Sequence, residues 1–165
     1  MSSRTASSPT VVIDLGDLDD RRVRRILEDH LADMHATSPA ESVHALDVTG
    51  LKDPRVTFWS LADGEAILGC VALKQLDAAH GELKSMRTDA SARGRGFGAL
   101  LLAHVLDEAR RRGYTRLSLE TGSEPFFAPA RALYSKAGFV ECAPFGDYVL
   151  DPASVFMTLE LDQAA

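Results

Sequence analysis

Apolar residues along the 165-residue chain fall into two alternating periods. Val11, Val12 and Ile13 form a short apolar run closed by Asp14 and Gly16, which reads as a strand. From Asp19 to about His35 the apolar positions are Val23, Ile26, Leu27, Leu31 and Met34, with Asp17, Asp19 and Asp20 ahead of them. That spacing, with acidic caps at its start, predicts an amphipathic helix. Residues 36–54 keep no period and contain Pro39, Gly50 and Pro54, so a loop with one short helix is expected, long enough to shape a site. Strands over 56–61 and 66–75 flank Ala62-Asp63-Gly64-Glu65, whose Asp-Gly pair signals an antiparallel hairpin. A fourth strand over 81–88 leads to a glycine-rich stretch at 93–99. The helix behind it carries Leu101, Leu102, Val105, Leu106 and Ala109 on one face and ends on Arg110, Arg111, Arg112 and a capping Gly113. A strand over 115–121, a helix from near Pro129 to Gly138, and strands around 139–142 and 155–161 complete the chain.

This order predicts an α+β domain with one βαβ crossover around the glycine-rich turn. The composition, 45% apolar and 25% charged, excludes disorder, and the length suits one domain over 10–165 behind a flexible Ser/Thr-rich tail at 1–9. The chain has no apolar run long enough to span a membrane, and its first ten residues lack the apolar stretch of a secretion signal, so a soluble, cytoplasmic protein is expected. Eighteen Lys and Arg against twenty-four Asp and Glu give a net charge of −6, the wrong sign for general affinity to nucleic acid or an anionic membrane. Cys70 and Cys142 each sit among apolar residues and read as buried thiols in a reducing compartment. His30, His35, His44, His80 and His104 are scattered singly, so no metal site is expected.

Glycines that run directly into a helix leave backbone N–H groups free at its positive end, where a phosphate is the natural guest. Here Arg93 and Arg95 add positive charge, while Gly94, Gly96 and Gly98 let a ligand approach the backbone beside Phe97 and Ala99. Two readings compete. Gly94, Gly96 and Ala99 satisfy the dinucleotide fingerprint G-x-G-x-x-A, with Glu120 placed as a ribose-binding acid. Against it, that fingerprint opens the first unit of a doubly wound sheet, and only three strands follow here. In the second reading, Arg93, Gly96 and Gly98 match R/Q-x-x-G-x-G/A, the signature with which GNAT acetyltransferases bind the pyrophosphate of acetyl-CoA. About forty residues on, Ala130-Arg131-Ala132-Leu133-Tyr134-Ser135-Lys136-Ala137-Gly138-Phe139 is similar to that family's second hallmark, A-x-x-L-Y-x-x-x-G-F. The chain resembles the GNAT superfamily over nearly its whole length. It departs from the pattern at Ala90, where a proline is common, and at Phe127, where an asparagine used near the pantetheine arm or helix start is common.

The resemblance implies a mixed, mostly antiparallel sheet of six or seven strands flanked by about four helices and splayed between strands four and five. Pantetheine would lie in the splay against the backbone of Met86, Arg87 and Thr88. It further implies an enzyme that moves an acetyl group from acetyl-CoA to a primary amine by direct attack on the thioester, without a metal. Tyr134 would protonate or hydrogen-bond the departing thiolate, a transfer that is uphill between a phenol near pKa ~10 and a thiol near ~8.5. Glu82 and Glu120 are both candidate bases. The irregular segment with His35, Ser38, Glu41, Ser42 and His44 would form the acceptor wall, and its polarity with the acidic charge suits a small metabolite. A homodimer is left open, and a non-catalytic acyl-CoA-binding module is the alternative to an enzyme.

Overall fold

The computed structural model describes residues 11–44 and 46–161, so the expected tail at 1–9 lies outside the described residues. In chain order the elements are β1 (Val11–Leu15), α1 (Arg21–Thr37), α2 (Val48–Leu51), β2 (Val56–Asp63), β3 (Ala66–Gln75), β4 (His80–Thr88), α3 (Phe97–Arg111), β5 (Arg116–Gly122), α4 (Ala128–Lys136), β6 (Val140–Glu141) and β7 (Ser154–Glu160). Three single 3-10 turns, Ala40–Ser42, Ala90–Ala92 and Pro125–Phe127, punctuate the connections. Strand order in the sheet is β1-β2-β3-β4-β5-β7-β6, with β4 and β5 parallel and every other pair antiparallel. The α+β expectation holds in this architecture, and the antiparallel pairing rules out the doubly wound sheet of the dinucleotide reading.

Each helix is placed by one apolar face. Asp20 caps α1 by accepting from the Arg22 N–H at 2.8 Å, and Val23, Ile26 and Leu27 bury against Phe58, Ile67, Cys70 and Ala72 of the sheet. On the opposite face, α3 buries Phe97, Leu101, Leu102, Val105 and Ala109 in the main core with Leu73, Leu83, Leu117 and Leu119. Gly113, at φ +81°, ends α3 as the capping glycine, its N–H bonded to the Arg110 carbonyl and that of Tyr114 to Ala109. The hairpin turn places Gly64 at φ +61° between β2 and β3.

Several expected boundaries move. The first strand runs on to Leu15, and α1 extends through Thr37 into the segment expected to be loop. The strand expected over 139–142 shrinks to Val140–Glu141, after which a stretch with Pro144, Gly146 and Pro152 runs without regular structure to β7. Cys70 is buried as expected, but Cys142 is only half-buried.

Candidate active site

The parallel pair at the centre of the sheet is short. β4 and β5 pair only from His80 with Arg116 to Leu83 with Leu119. Past that level residues 84–88 keep pairing with β3, and residues 120–122 with β7, so the two strands part. A bulge assists: Ala72 opposes Lys84 and Cys70 opposes Arg87, which leaves Ser85 and Met86 facing Val71 alone. Ser85 takes φ +53°, a left-handed conformation that costs a non-glycine residue about 1–3 kcal/mol. The Cys70 thiol donates to the Ser85 carbonyl at 3.2 Å, supporting the bulge from beneath. Bulges bend a strand and add twist, which carries β4 away from β5.

The glycine-rich turn lies where α3 begins beside this gap. Gly94 and Gly96 adopt φ +83° and +82°, and a Cβ on either would meet nothing within 4 Å. Gly96 caps α3 without a side-chain bond, so the first-turn amides of Phe97, Gly98 and Ala99 stand without a side-chain cap. At Gly98 an added Cβ would come within 3.2 Å of Leu133, so the glycine allows α3 and α4 to close together. The open, left-handed turn fits an anion cradle of backbone amides.

A cavity of about 340 Å³ occupies the splay, a volume normal for a small-molecule site. Glu120, at the point where β5 leaves β4, is partly buried and accepts from Ser154 Oγ at 3.1 Å. Burial pushes its carboxyl up to about 7, against the opposing pull of Ser154 and the Lys84 ammonium. A base with that affinity for protons is half-ionised at neutrality, where general bases work best. Glu82 differs. Its buried carboxylate accepts from the Tyr148 hydroxyl at 2.5 Å and from Lys84 Nζ at 3.1 Å, and Lys84 also donates to Tyr148 at 2.9 Å. Burial, then the charge of Glu82, hold the Tyr148 phenol far above its ordinary range. Tyr134 lines the cavity from α4, and its phenol is also raised, first by burial and then by the charge of Glu120. Among the described residues its hydroxyl has no hydrogen bond, and its ring packs edge-on against Phe139.

The cavity gathers Glu82, Met86, Arg87, Thr88, Arg93, Gly98, Glu120 and Tyr134 of the expected residues, with Ser38, Ser42 and His44 of the acceptor segment. Gly94, Arg95, Gly96, Phe97 and Ala99 are not in its wall. The two glycines shape the turn at its edge, Phe97 is core, and Ala99 is exposed. Arg95 turns away, 3.1 Å from Asp63 and stacked 4.6 Å over the Phe97 ring. His35 and Glu41 face solvent, against expectation. Because α1 continues to Thr37, its helical period sends His30 and Met34, four apart, to the cavity and turns His35 a further step outward. Glu41 shares a 3-10 turn with Ser42, which points inward to the Asp151 carboxylate. His30, Lys84 and Tyr148 escaped the sequence reading. Spacing with Met34 could have found His30, and alternation with Glu82 could have found Lys84. Tyr148 lies in an irregular stretch whose sequence carries no such signal. Phe127, at the family's asparagine position, is buried over Gly122, where an added Cβ would fall 2.1 Å from its ring.

Among the described residues no group of three or more His, Cys, Asp or Glu could hold a metal ion, and no helix is long and apolar enough to cross a membrane. The model of the acetyltransferase (GNAT) family matches residues 23–139. The uncharacterized N-acetyltransferase YsnE of Bacillus subtilis (strain 168) is 51% identical over 149 residues, covering 90% of this chain and 99% of its own. The uncharacterized N-acetyltransferase YedL of Escherichia coli (strain K12) is 49% identical over 145 residues, covering 88% and 91%. In fold, the chain is similar to a GNAT family acetyltransferase from Elizabethkingia anophelis solved with acetyl-CoA bound, at TM-score 0.68 and 17% identity over 93% of this chain and 100% of that one. With a family model matched across its centre and two relatives near half identity along almost its full length, the chain belongs to the GNAT family of acetyltransferases.

Proposed function

We propose that this protein moves the acetyl group of acetyl-CoA to the primary amine of a small metabolite by direct attack on the thioester. The observation that carries the reading is the splay itself: one cavity brings together the carboxyl of Glu120, an unbonded phenol and the mouth of a glycine-rich turn suited to an anion. The turn at 93–99 takes the pyrophosphate through its amides and Arg93. Residues 86–88 of β4, released from β5, bond the pantetheine arm as an added strand would. Acetyl-CoA supplies an activated acyl carbon held as a thioester.

The amine must reach that carbon unprotonated. As its nitrogen bonds the carbonyl carbon and the C–S bond breaks, one amine proton passes to Glu120, directly or through a water. Glu82 is already committed to Lys84 and Tyr148, which leaves Glu120 as the base and Glu82 as the group that positions Lys84 and Tyr148. The departing sulfur is met by the Tyr134 hydroxyl. Its raised proton affinity makes full transfer more uphill, so the phenol acts chiefly as a hydrogen-bond donor to the developing thiolate.

The test is a panel of primary amines with acetyl-CoA, read as free thiol, beside thermal melts with acetyl-CoA or NAD. Acetyl-CoA at 100 times its dissociation constant should stabilise the fold by about 2.7 kcal/mol. NAD should give no comparable shift. Stabilisation by NAD alone, or no thiol release with any amine, would overturn the assignment.

A further inference from the structure

The wall of the cavity on the α1 side holds a charge that acetyl transfer does not call for. Arg87 is 9% exposed, and its guanidinium is bonded on one side only, from Nη1 to the Asp33 carboxylate. Nε is buried without a partner, and among the described residues Nη2 makes no hydrogen bond. The Nε–Nη2 edge is the side of an arginine that matches a carboxylate with two parallel N–H···O bonds. Ser85, raised on the bulge two residues before Arg87 and also lining the cavity, has its hydroxyl buried and unpartnered. Two buried donors in one wall are costly to leave unpaired, and a ligand acceptor would satisfy them.

The neighbours of Arg87 leave its Nε–Nη2 edge available. Asp33 is 38% exposed at its side chain and so partly solvated, and Asp89 is held by Ser91 and Arg25. His30 completes the corner, and burial with the adjacent guanidinium pushes it down to about 4, so it is neutral at physiological pH. By the β3 register, Arg87 stands one two-residue step beyond Lys84, about 7 Å along the strand. Lys84 and Glu120 are the first residues past the last paired level of β4 and β5. The base and the free guanidinium edge thus line one cavity of about 340 Å³, whose volume suits a small bifunctional molecule.

We propose that the acceptor carries a carboxylate as well as its amine, and that Arg87, assisted by Ser85, binds that carboxylate while the amine faces Glu120. The substrate class is then an aminocarboxylate of amino-acid size. This rests on the acetyltransferase reading of the same cavity and narrows it.

The experiment compares matched acceptors with acetyl-CoA: each L-amino acid, β-alanine and γ-aminobutyrate against its own carboxamide, read as kcat/KM for thiol release. In the wild-type protein the best acid should exceed its amide at least tenfold. Arg87→Gln should bring that ratio towards one, and Arg87→Lys, a charge without a fork, should restore it in part. Asp33→Asn removes the competing carboxylate and should raise the ratio, so a failure of Arg87→Gln to fold leaves both this variant and the wild-type comparison to decide. A thermal shift with acetyl-CoA reports that each variant keeps its cofactor side. Amides used as well as acids by the wild-type protein, or a ratio unmoved in folded Arg87→Gln, would overturn the carboxylate site and leave acetyl transfer standing. No turnover with any acceptor would overturn both.

Discussion

Replacing Glu120 by Gln should make the protein more stable and at the same time inactive, with a pH dependence that ties the two effects together. The carboxyl binds its proton at about 7 in the folded chain against an ordinary 4.5. Between those values the folded state keeps a proton that the unfolded state has released. The slope of unfolding free energy with pH follows protons bound in the unfolded minus the folded state, so it is negative there and wild-type stability falls as pH rises from 4.5 to 7. At 1.36 kcal/mol per unit of pKa, the accumulated penalty above pH 7 is about 3 kcal/mol. Gln cannot ionise and escapes it, while its amide oxygen can still accept from Ser154. For a chain of this size the gain at pH 8 corresponds to a melting temperature higher by about 6–12 °C. Below pH 4.5 the two proteins should melt together. The acidic limb of kcat/KM in the wild-type protein should share the midpoint near 7 and vanish with activity in the variant. Calorimetry from pH 4 to 9 and thiol release over the same range make the comparison. A variant no more stable at pH 8 than at pH 4.5, relative to wild type, would refute both the burial cost and the choice of base.

Tyr134→Phe should leave the melting temperature nearly unchanged, since the hydroxyl has no hydrogen bond to lose among the described residues. Its turnover should fall by roughly ten- to a thousandfold at unchanged acetyl-CoA affinity, measured by steady-state kinetics and melts with the cofactor. Gly96→Val forces a β-branched residue to φ +82° in open space, so it should cost about 1–3 kcal/mol by denaturant unfolding and abolish the stabilisation by acetyl-CoA. Gly122→Ala should destabilise by about 1–3 kcal/mol, because its new Cβ falls 2.1 Å from the Phe127 ring. Phe127→Leu in the same chain should recover part of that loss in a double-mutant cycle, and equal losses with and without the ring would refute the packing account.

Local chemistry made most of the fold legible along the chain. Val23, Ile26 and Leu27, or Leu101, Leu102 and Val105, can bury together only on one helical face, and Asp63-Gly64 suits few conformations besides a tight hairpin. The glycine-rich turn was legible for the same reason, since positive φ at Gly94 and Gly96 is a property of the residue itself. The family resemblance supplied Tyr134 and the splay, which periodicity does not encode. The tertiary structure settled how the acid–base groups divide. Glu82 and Glu120 read alike as strand carboxylates, yet one accepts hydrogen bonds from Tyr148 and Lys84 and the other from Ser154. Tyr148 arrives from a stretch without period, and Asp33 reaches Arg87 from a helix that crosses its strand. His35 and His30 are equivalent until the end of α1 is known, and only one then faces the cavity. Short-range preferences depend on neighbours in sequence and can be read there. The ionisation of a carboxyl and the free edge of a guanidinium depend on burial and on partners 34 to 66 residues away, which exist only once the sheet has closed.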